Sequence, residues 1–500
     1  KKWLSPQEGR FFCYLCKNVE TMKKLWMLLA AAGALLILPS CGDKNNPEKT
    51  TKGERYYVNT FAYNMMSVYY LWEKEIADGL KSWKFTDDPI EKVRTIRYKD
   101  AAGNDIDKWT MVTDDFAALN GSVTGNSCSP GLDFSLYYYD STKSRVVAVV
   151  TYTYADSPAR EAGLSRGDVI MTLNGKEMTA DNYLDVIYGS LYSDSTFSAT
   201  LGDGRTVQIT PRQMYLDPVN VASVIEENGE KYAYLHYTNF TMDSCASLEQ
   251  VFRTFREEGC TRLILDLRYN GGGYLTASQV LASLIAPPEA IGSIYLTQVY
   301  NERLTQELDN DPIPFQVDYS YENTAGEKVA LTIIGSKPDF SKVYVIMTGS
   351  SASASECVVC GLSPYMDMTL VGEQSHGKYC AGIIIDGPTW YGWAQDDLDK
   401  EDYQNGLRYT DNWAIYVMYS RYADKDGVTL CMPDGLTPDV AVKDNPLDGI
   451  PLGDPSETML AAVLATASGK AVSTRSNVGE TLRFHGEEPY RHTGILIQEL

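Results

Sequence analysis

The sequence predicts a multidomain α/β protein, and three observations carry that reading. The chain has 500 residues, which at roughly 100 to 200 residues per domain gives about three units. Between 221 and 470, short apolar runs alternate with segments of helical periodicity, the pattern of helices packed on a largely buried sheet. Ahead of that, 121–211 carries short strands punctuated by glycine and an Asn174-Gly175 turn. With 44% hydrophobic and 22% charged residues, wholesale disorder, a collagen-like chain and a polytopic membrane protein are excluded. Lys+Arg 44 against Asp+Glu 66 leaves a net charge of -22, which argues against a general nucleic-acid binder, because such surfaces need excess cations to neutralise phosphates.

The N-terminal segment, 1–40, does not belong to the fold. From Met22 the chain reads MKKLWMLLAAAGALLILPSC: two lysines, an apolar run over 25–38, then small residues before Cys41. The run is shorter than the roughly 20 apolar residues of a membrane span and has the layout of a secretory signal. Residues 1–21 are read as lying upstream of the true start. The ending Leu38-Pro39-Ser40-Cys41 resembles the lipobox of bacterial lipoproteins. That resemblance implies a lipid on Cys41 and a protein held at a membrane surface of the bacterial cell envelope, periplasmic or outer-membrane associated. The polar stretch 41–55 reads as a tether. The ten cysteines do not form a disulfide scaffold; Cys357 and Cys360 make a lone CxxC that suits buried thiols better than a metal, and a bridge to Cys380 stays open.

Over 56–120 the pattern turns helical, with Phe61, Met65, Val68, Tyr69 and Leu71 crowding one side, and predicts a helical N-terminal domain. The next unit, 121–215, contains GLDF (Gly131, Leu132, Asp133, Phe134), SPAREAGLSRGDVIMTLNG and a closing GDGRTVQIT. It resembles the PDZ domains of bacterial proteases in their permuted strand order. The resemblance implies that backbone N–H groups of Gly131 to Phe134 receive the C-terminal carboxylate of a peptide.

In the third unit, 216–470, two loops follow apolar strands with clusters of small residues. LDLRYNGGG ends in Gly271, Gly272 and Gly273, where exposed backbone N–H groups allow close approach. MTGSSASASE enters an apparent helix, so its serines sit at a helix N-terminus, where unpaired N–H groups favour developing negative charge. A serine nucleophile needs a base. Beyond the leader the histidines are His236, His376, His485 and His492, while VGEQSHGKYC supplies Lys378, whose amine becomes a base if burial lowers its pKa. The tail 471–500 is ambiguous and is treated as an appendix.

Taken together, GLDF, SPAREAGLSRGDVIMTLNG, LDLRYNGGG, SSASASE, VGEQSHGK and a late GLTPDVAV followed by GDPSETMLAA resemble, in order, the C-terminal processing peptidases, or tail-specific proteases. The resemblance implies an α/β, ClpP/crotonase-like serine-peptidase core with Ser353 as nucleophile, Lys378 as base, and the amides of Ala354 and Gly272 as oxyanion donors. It implies protein or peptide substrates with accessible C-termini; with HExxH, the P-loop and GxGxxG all missing from the sequence, no metal, nucleotide or other cofactor is expected. One departure stands out: many family members carry a glutamine four residues after the lysine, and this chain has Gly382 there. The expected function is a lipid-anchored serine endopeptidase of the cell envelope that recognises substrate C-terminal segments. The alternative is a PDZ-containing peptide-binding lipoprotein with little or no activity, and His236 is the alternative base.

Overall fold

The computed structural model describes residues 52–308, 312–323, 326–472, 483–484 and 495–497. The expected leader 1–40, Cys41, most of the tether, His485 and His492 lie outside the described residues.

The alternating runs of the third unit form a six-stranded sheet in the order Val219–Glu227, Glu230–Tyr237, Arg262–Asp266, Lys342–Met347, Met368–Gly372, Val440–Ala441. The first two strands make an antiparallel hairpin and every later pairing is parallel. Central parallel strands are covered on both faces, so they read as continuous apolar runs, and their side chains alternate between two cores. Leu263, Leu265, Val343, Val345 and Met347 pack with helices Ser244–Glu257, Leu275–Ile285 and Ala354–Leu362. Ile264, Tyr344 and Ile346 pack instead with helix Thr458–Ala467.

A second sheet stands beside the first, in the order Gly272–Tyr274, Ile495–Ile497, Cys380–Asp386, Ala414–Ala423, Ile294–Tyr300, Ile313–Pro314, with Met111–Thr113 added against residues 414–416. Helix Glu54–Val68 lies on this sheet: Tyr57, Phe61 and Met65 share one core with Ile383, Ile385, Ile415 and Val417. The segment expected as a helical N-terminal domain is helical over Glu54–Val68, Ala77–Lys81, Pro89–Ile96 and Phe116–Thr124, and it buries its apolar side on the second sheet. Its first helix begins two residues inside the stretch expected as tether, after an extended Gly53 and with Glu54 in the first turn, where the helix dipole favours an acid.

Residues 132–209 build a separate antiparallel sheet, Leu132–Tyr138, Val146–Thr153, Val169–Leu173, Phe197–Leu201, Thr206–Ile209, with its own core and the short helices Pro158–Glu161 and Tyr183–Tyr188. Asn174 and Gly175 both take positive φ, the backbone of the tight hairpin turn joining Val169–Leu173 to Lys176–Glu177. Arg166 ties this lobe to the six-stranded sheet: it donates to Thr151 O, to the Tyr269 hydroxyl at 2.8 Å and to Asp444 at 2.7 Å. Beside it the fully buried Arg268 bonds Asp266, Asp444 and Glu457. Burial alone would raise the Asp444 carboxyl, yet Arg166 and Arg268 hold it well below the usual range.

Within the segment treated as an appendix, the described residues 483–484 and 495–497 pair with the lobe sheet and with the second sheet. Arg483 bridges Tyr137 on the outer edge of Leu132–Tyr138, and Phe484 N–H donates to Leu136 O at 3.0 Å. Strand Ile495–Ile497 lies parallel to Gly272–Tyr274 and also pairs with Gly382.

Candidate active site

Strand Lys342–Met347 feeds a turn that ends at Ser353, the residue before helix Ala354–Leu362. Ser353 holds φ 62 and ψ -110, a backbone that non-glycine residues rarely adopt and that persists only where surroundings impose it. Those surroundings are the LDLRYNGGG loop. Ser351 Oγ donates to Leu267 O at 2.8 Å, Ala352 N–H to Asn270 O at 3.1 Å, and Ser355 Oγ to the same oxygen at 3.0 Å. Ser353 is fully buried, and its Oγ makes no hydrogen bond among the described residues.

Glu356 joins the serine loop to the lysine loop. Its Oε2 accepts from Ser353 N–H at 2.8 Å and from Lys378 N–H at 2.9 Å, so both backbones converge on one oxygen. Its Oε1 accepts from Ser375 Oγ and from Gly377 N–H at 2.6 Å. Burial pushes the Glu356 carboxyl up, and these four donors oppose it. The sequence reading passed over Glu356, although its spacing three residues after Ser353 is that of a capping residue.

Lys378 has no exposed surface. Burial drives its amine down to about 7, against the pull of Cys380, Asp107, Cys357 and Glu356 towards the charged form. Its Nζ donates to the Tyr416 hydroxyl at 2.6 Å and lies 5.4 Å from the Trp109 ring centroid and 4.9 Å from that of Tyr416. The structure therefore brings Ser353 and Lys378 together through Glu356 without a hydrogen bond from Ser353 Oγ to the amine. Trp109 and Tyr416 were both missed by sequence reasoning: Trp109 comes from the N-terminal segment and Tyr416 from a strand 38 residues further on.

Of the expected oxyanion donors, Ala354 opens the helix, where the first N–H groups have no acceptor within the helix. Gly272 N–H is engaged, donating to Asn270 Oδ1 at 2.9 Å. In the expected carboxylate loop, Gly131 takes φ +71 and packs so closely that a Cβ there would fall 2.3 Å from Ser157 Cβ. The Gly131 N–H donates to Ser129 Oγ at 3.0 Å, Leu132 and Asp133 pair with Thr153 and Tyr152, and Phe134 enters the core of the lobe. The loop thus opens an edge strand, with its first amide already bonded.

The alternative base fares less well. His236 bonds Asn220 Oδ1 at 3.1 Å and packs against Tyr152 and Tyr269, and burial lowers its pKa to about 4. His376 is exposed at the rim beside Trp109. Cys357, Cys360 and Cys380 are buried free thiols, so the bridge left open by the sequence is not formed.

Residues 231–386 match Peptidase family S41. A chloroplastic C-terminal processing peptidase of Tetradesmus obliquus is 29% identical over 288 residues, 54% of this chain and 55% of the relative. A carboxyl-terminal-processing protease of Picosynechococcus is 25% identical over 244 residues, 48% of this chain and 52% of the relative. The chain thus spans about half the length of these curated relatives. In fold it is similar to a Bacteroides fragilis protein crystallised as a candidate S41 protease, with TM-score 0.63 and 23% identity over 82% of this chain and 97% of the other. Residues 231–386, which hold Ser353 and Lys378, thus match the S41 peptidase family, and the chain is similar to the C-terminal processing peptidases.

Proposed function

We propose that this protein is a serine endopeptidase acting through Ser353 and Lys378. The observation that carries the reading is a strained, buried serine, its Oγ without a hydrogen bond among the described residues, paired with a fully desolvated lysine amine, both backbones held by Glu356. Neutral Lys378 takes the Ser353 proton, Oγ attacks the peptide carbonyl, and the carbon becomes tetrahedral with its oxygen negative. Ala354 N–H faces that oxygen from the helix start; a second donor comes from the glycine loop once Gly272 N–H leaves Asn270 Oδ1, or from Gly271. The amine side of the scissile bond leaves with the proton from Lys378, and water then releases the acyl group. Catalytic hydrogen bonds tighten only when substrate arrives, so the open Ser353–Lys378 contact suits a resting site.

The lobe 121–215 acts as the PDZ domain, whose edge strand Leu132–Tyr138 takes on an extended substrate segment by β-augmentation. Cys41 carries the lipid that holds the enzyme in the bacterial envelope. A second reading is favoured by the engaged Gly272 amide and the Tyr416-bound lysine: a peptide-binding lipoprotein whose site does not turn over.

The test is cleavage of an unstructured protein by the chain lacking residues 1–41, beside Ser353→Ala and Lys378→Ala, with products read by mass spectrometry. Fragments from the unmutated protein alone establish the peptidase, and its rate rises with pH through about 7, because the base works only when neutral. Equal fragmentation by all three sinks the dyad. If no fragments form and a fluorophosphonate does not label Ser353, the binding reading takes over.

A further inference from the structure

We propose that Tyr416 is the residue that positions Lys378, its phenol oxygen holding the amine in place of the side chain that Gly382 lacks. The inference rests on the reading of Lys378 as the base, and two observations carry it. Lys378 Nζ donates to Tyr416 Oη at 2.6 Å with both side chains buried, and the same amine lies over the Tyr416 and Trp109 rings. At Gly382, a Cβ would fall 2.4 Å from Tyr416 Cε2, 2.7 Å from Tyr416 Cζ and 2.7 Å from Met418 Cε, the tip of a flexible side chain.

Gly382 has no left-handed φ that would demand a glycine, so what excludes a side chain there is the space already filled by the Tyr416 ring and the flexible end of the Met418 side chain. The strand pairing explains how the ring gets there. Cys380–Asp386 and Ala414–Ala423 run antiparallel, and their register slips between Ala381 and Gly382, so that Gly382 faces Met418 and Ile384 faces Tyr416. Tyr416 then leans from its own position across Gly382 to the lysine. A glutamine at 382 and a tyrosine at 416 are two mutually exclusive ways to put an oxygen beside this amine.

The chemistry suits a base. A neutral amine has two N–H groups and one lone pair. With one N–H on Tyr416 Oη, rotation about the terminal bond is restricted and the lone pair remains for the Ser353 hydroxyl proton. Once protonated, the ammonium keeps a charge-assisted bond to Oη and rests on two ring faces. Asp107 from the N-terminal segment, Glu356 and Cys357 from the serine helix and Cys380 from the lysine's own strand also face the amine, and all favour its charged form. Tyr416→Phe removes one more group that favours the charge, so the Lys378 pKa falls.

The experiment measures kcat and KM against pH for the chain lacking residues 1–41, for Tyr416→Phe, for Gly382→Gln and for Gly382→Gln with Tyr416→Ala. In each, the Lys378 amine is also titrated directly by nitrogen NMR, and folding is checked by circular dichroism. Tyr416→Phe is expected to lose about tenfold to a hundredfold in kcat with KM nearly unchanged. Its acid limb and its amine titration should both move down by about one pH unit. Gly382→Gln alone should lose activity through the clash, and the double variant should recover part of it. A Tyr416→Phe protein that matches the parent in rate, acid limb and amine titration overturns the positioning role. A double variant no better than Gly382→Gln overturns the exchange of oxygens even if Tyr416→Phe fails to fold. If the parent neither cleaves nor labels at Ser353 while the amine titration still falls in Tyr416→Phe, the peptidase reading fails and the positioning role stands.

Discussion

Lys378 concentrates the conflict between stability and chemistry at a single residue. Folding strips its amine of water and lowers its pKa to about 7, whereas the unfolded chain keeps the ordinary value near 10.5. Between those values the unfolded chain holds a proton that the folded chain does not, so stability rises with pH across that window. Below about pH 7 the folded amine is charged as well, and the full penalty remains. Methionine has similar length and packs well against rings such as Trp109 and Tyr416, with no charge to desolvate. Lys378→Met is therefore expected to raise the thermal unfolding midpoint, most below about pH 7, with the gain shrinking towards pH 10.5. Unfolding scans across that range check it, and a gain that grows with pH would contradict the assigned burial penalty. Ser353 and Lys378 were legible in the sequence because each sits in a short motif of small residues whose order carries the family resemblance. Tyr416 was not, because nothing local in AIYVMYSRYA distinguishes a tyrosine that reaches a lysine across an antiparallel pair from one that fills a core.

At the scale of elements, the site depends on how the LDLRYNGGG loop leaves its strand. Gly273 has φ +138, and a Cβ there would lie 2.3 Å from Phe240 O, so the loop can pass Phe240 only with a glycine. That passage sets where Gly272 lies, because Phe240 N–H donates to Gly272 O at 2.9 Å and Tyr274 N–H to Phe240 O at 2.7 Å. Gly273→Ala should cost stability by about 1–3 kcal/mol from backbone strain alone, before any shift of the loop. It should also slow fluorophosphonate labelling of Ser353, since the serine turn is bonded to the same loop through Asn270. Urea unfolding and labelling rates read the two effects, and a variant unchanged in both would show that the loop tolerates the side chain. The parallel strands around this loop were legible as apolar runs bounded by glycine. The second sheet was not, because its strands pair across long separations, Met111–Thr113 with residues 414–416 and Gly272–Tyr274 with Ile495–Ile497, and hydropathy alone says nothing of partners.

In the whole molecule, Ser353 and Lys378 are both sealed from solvent, so a substrate of the proposed peptidase would reach them only after something gives way. Strand Ile495–Ile497 is placed to be that element. It pairs with Gly272 on one side and Gly382 on the other, and Ile497 is buried in the core shared with the N-terminal helix. Upstream, Arg483 and Phe484 occupy the free edge of Leu132–Tyr138 in antiparallel pairing, with the Phe484 ring edge-on to Tyr138 and Tyr183 at 5.1 and 4.8 Å. Residues 495–497 therefore fill a pairing edge beside the proposed Ser353–Lys378 pair, and residues 483–484 a pairing edge on the outer lobe, the two places an extended substrate would need. Burying one isoleucine is worth about 1.5–3 kcal/mol. A strand held by about 2 kcal/mol leaves its slot open only a few per cent of the time. Removing residues 473–500 should then speed covalent labelling of Ser353 by roughly tenfold or more, tighten binding of an extended peptide to the lobe, and lower the thermal midpoint as the core loses Ile497. Faster labelling with a lower midpoint would mean that the tail closes a competent site. Slower labelling with the same loss of stability would mean that the strand completes the site, by holding Gly272–Tyr274 against Cys380–Asp386 in the geometry the serine needs.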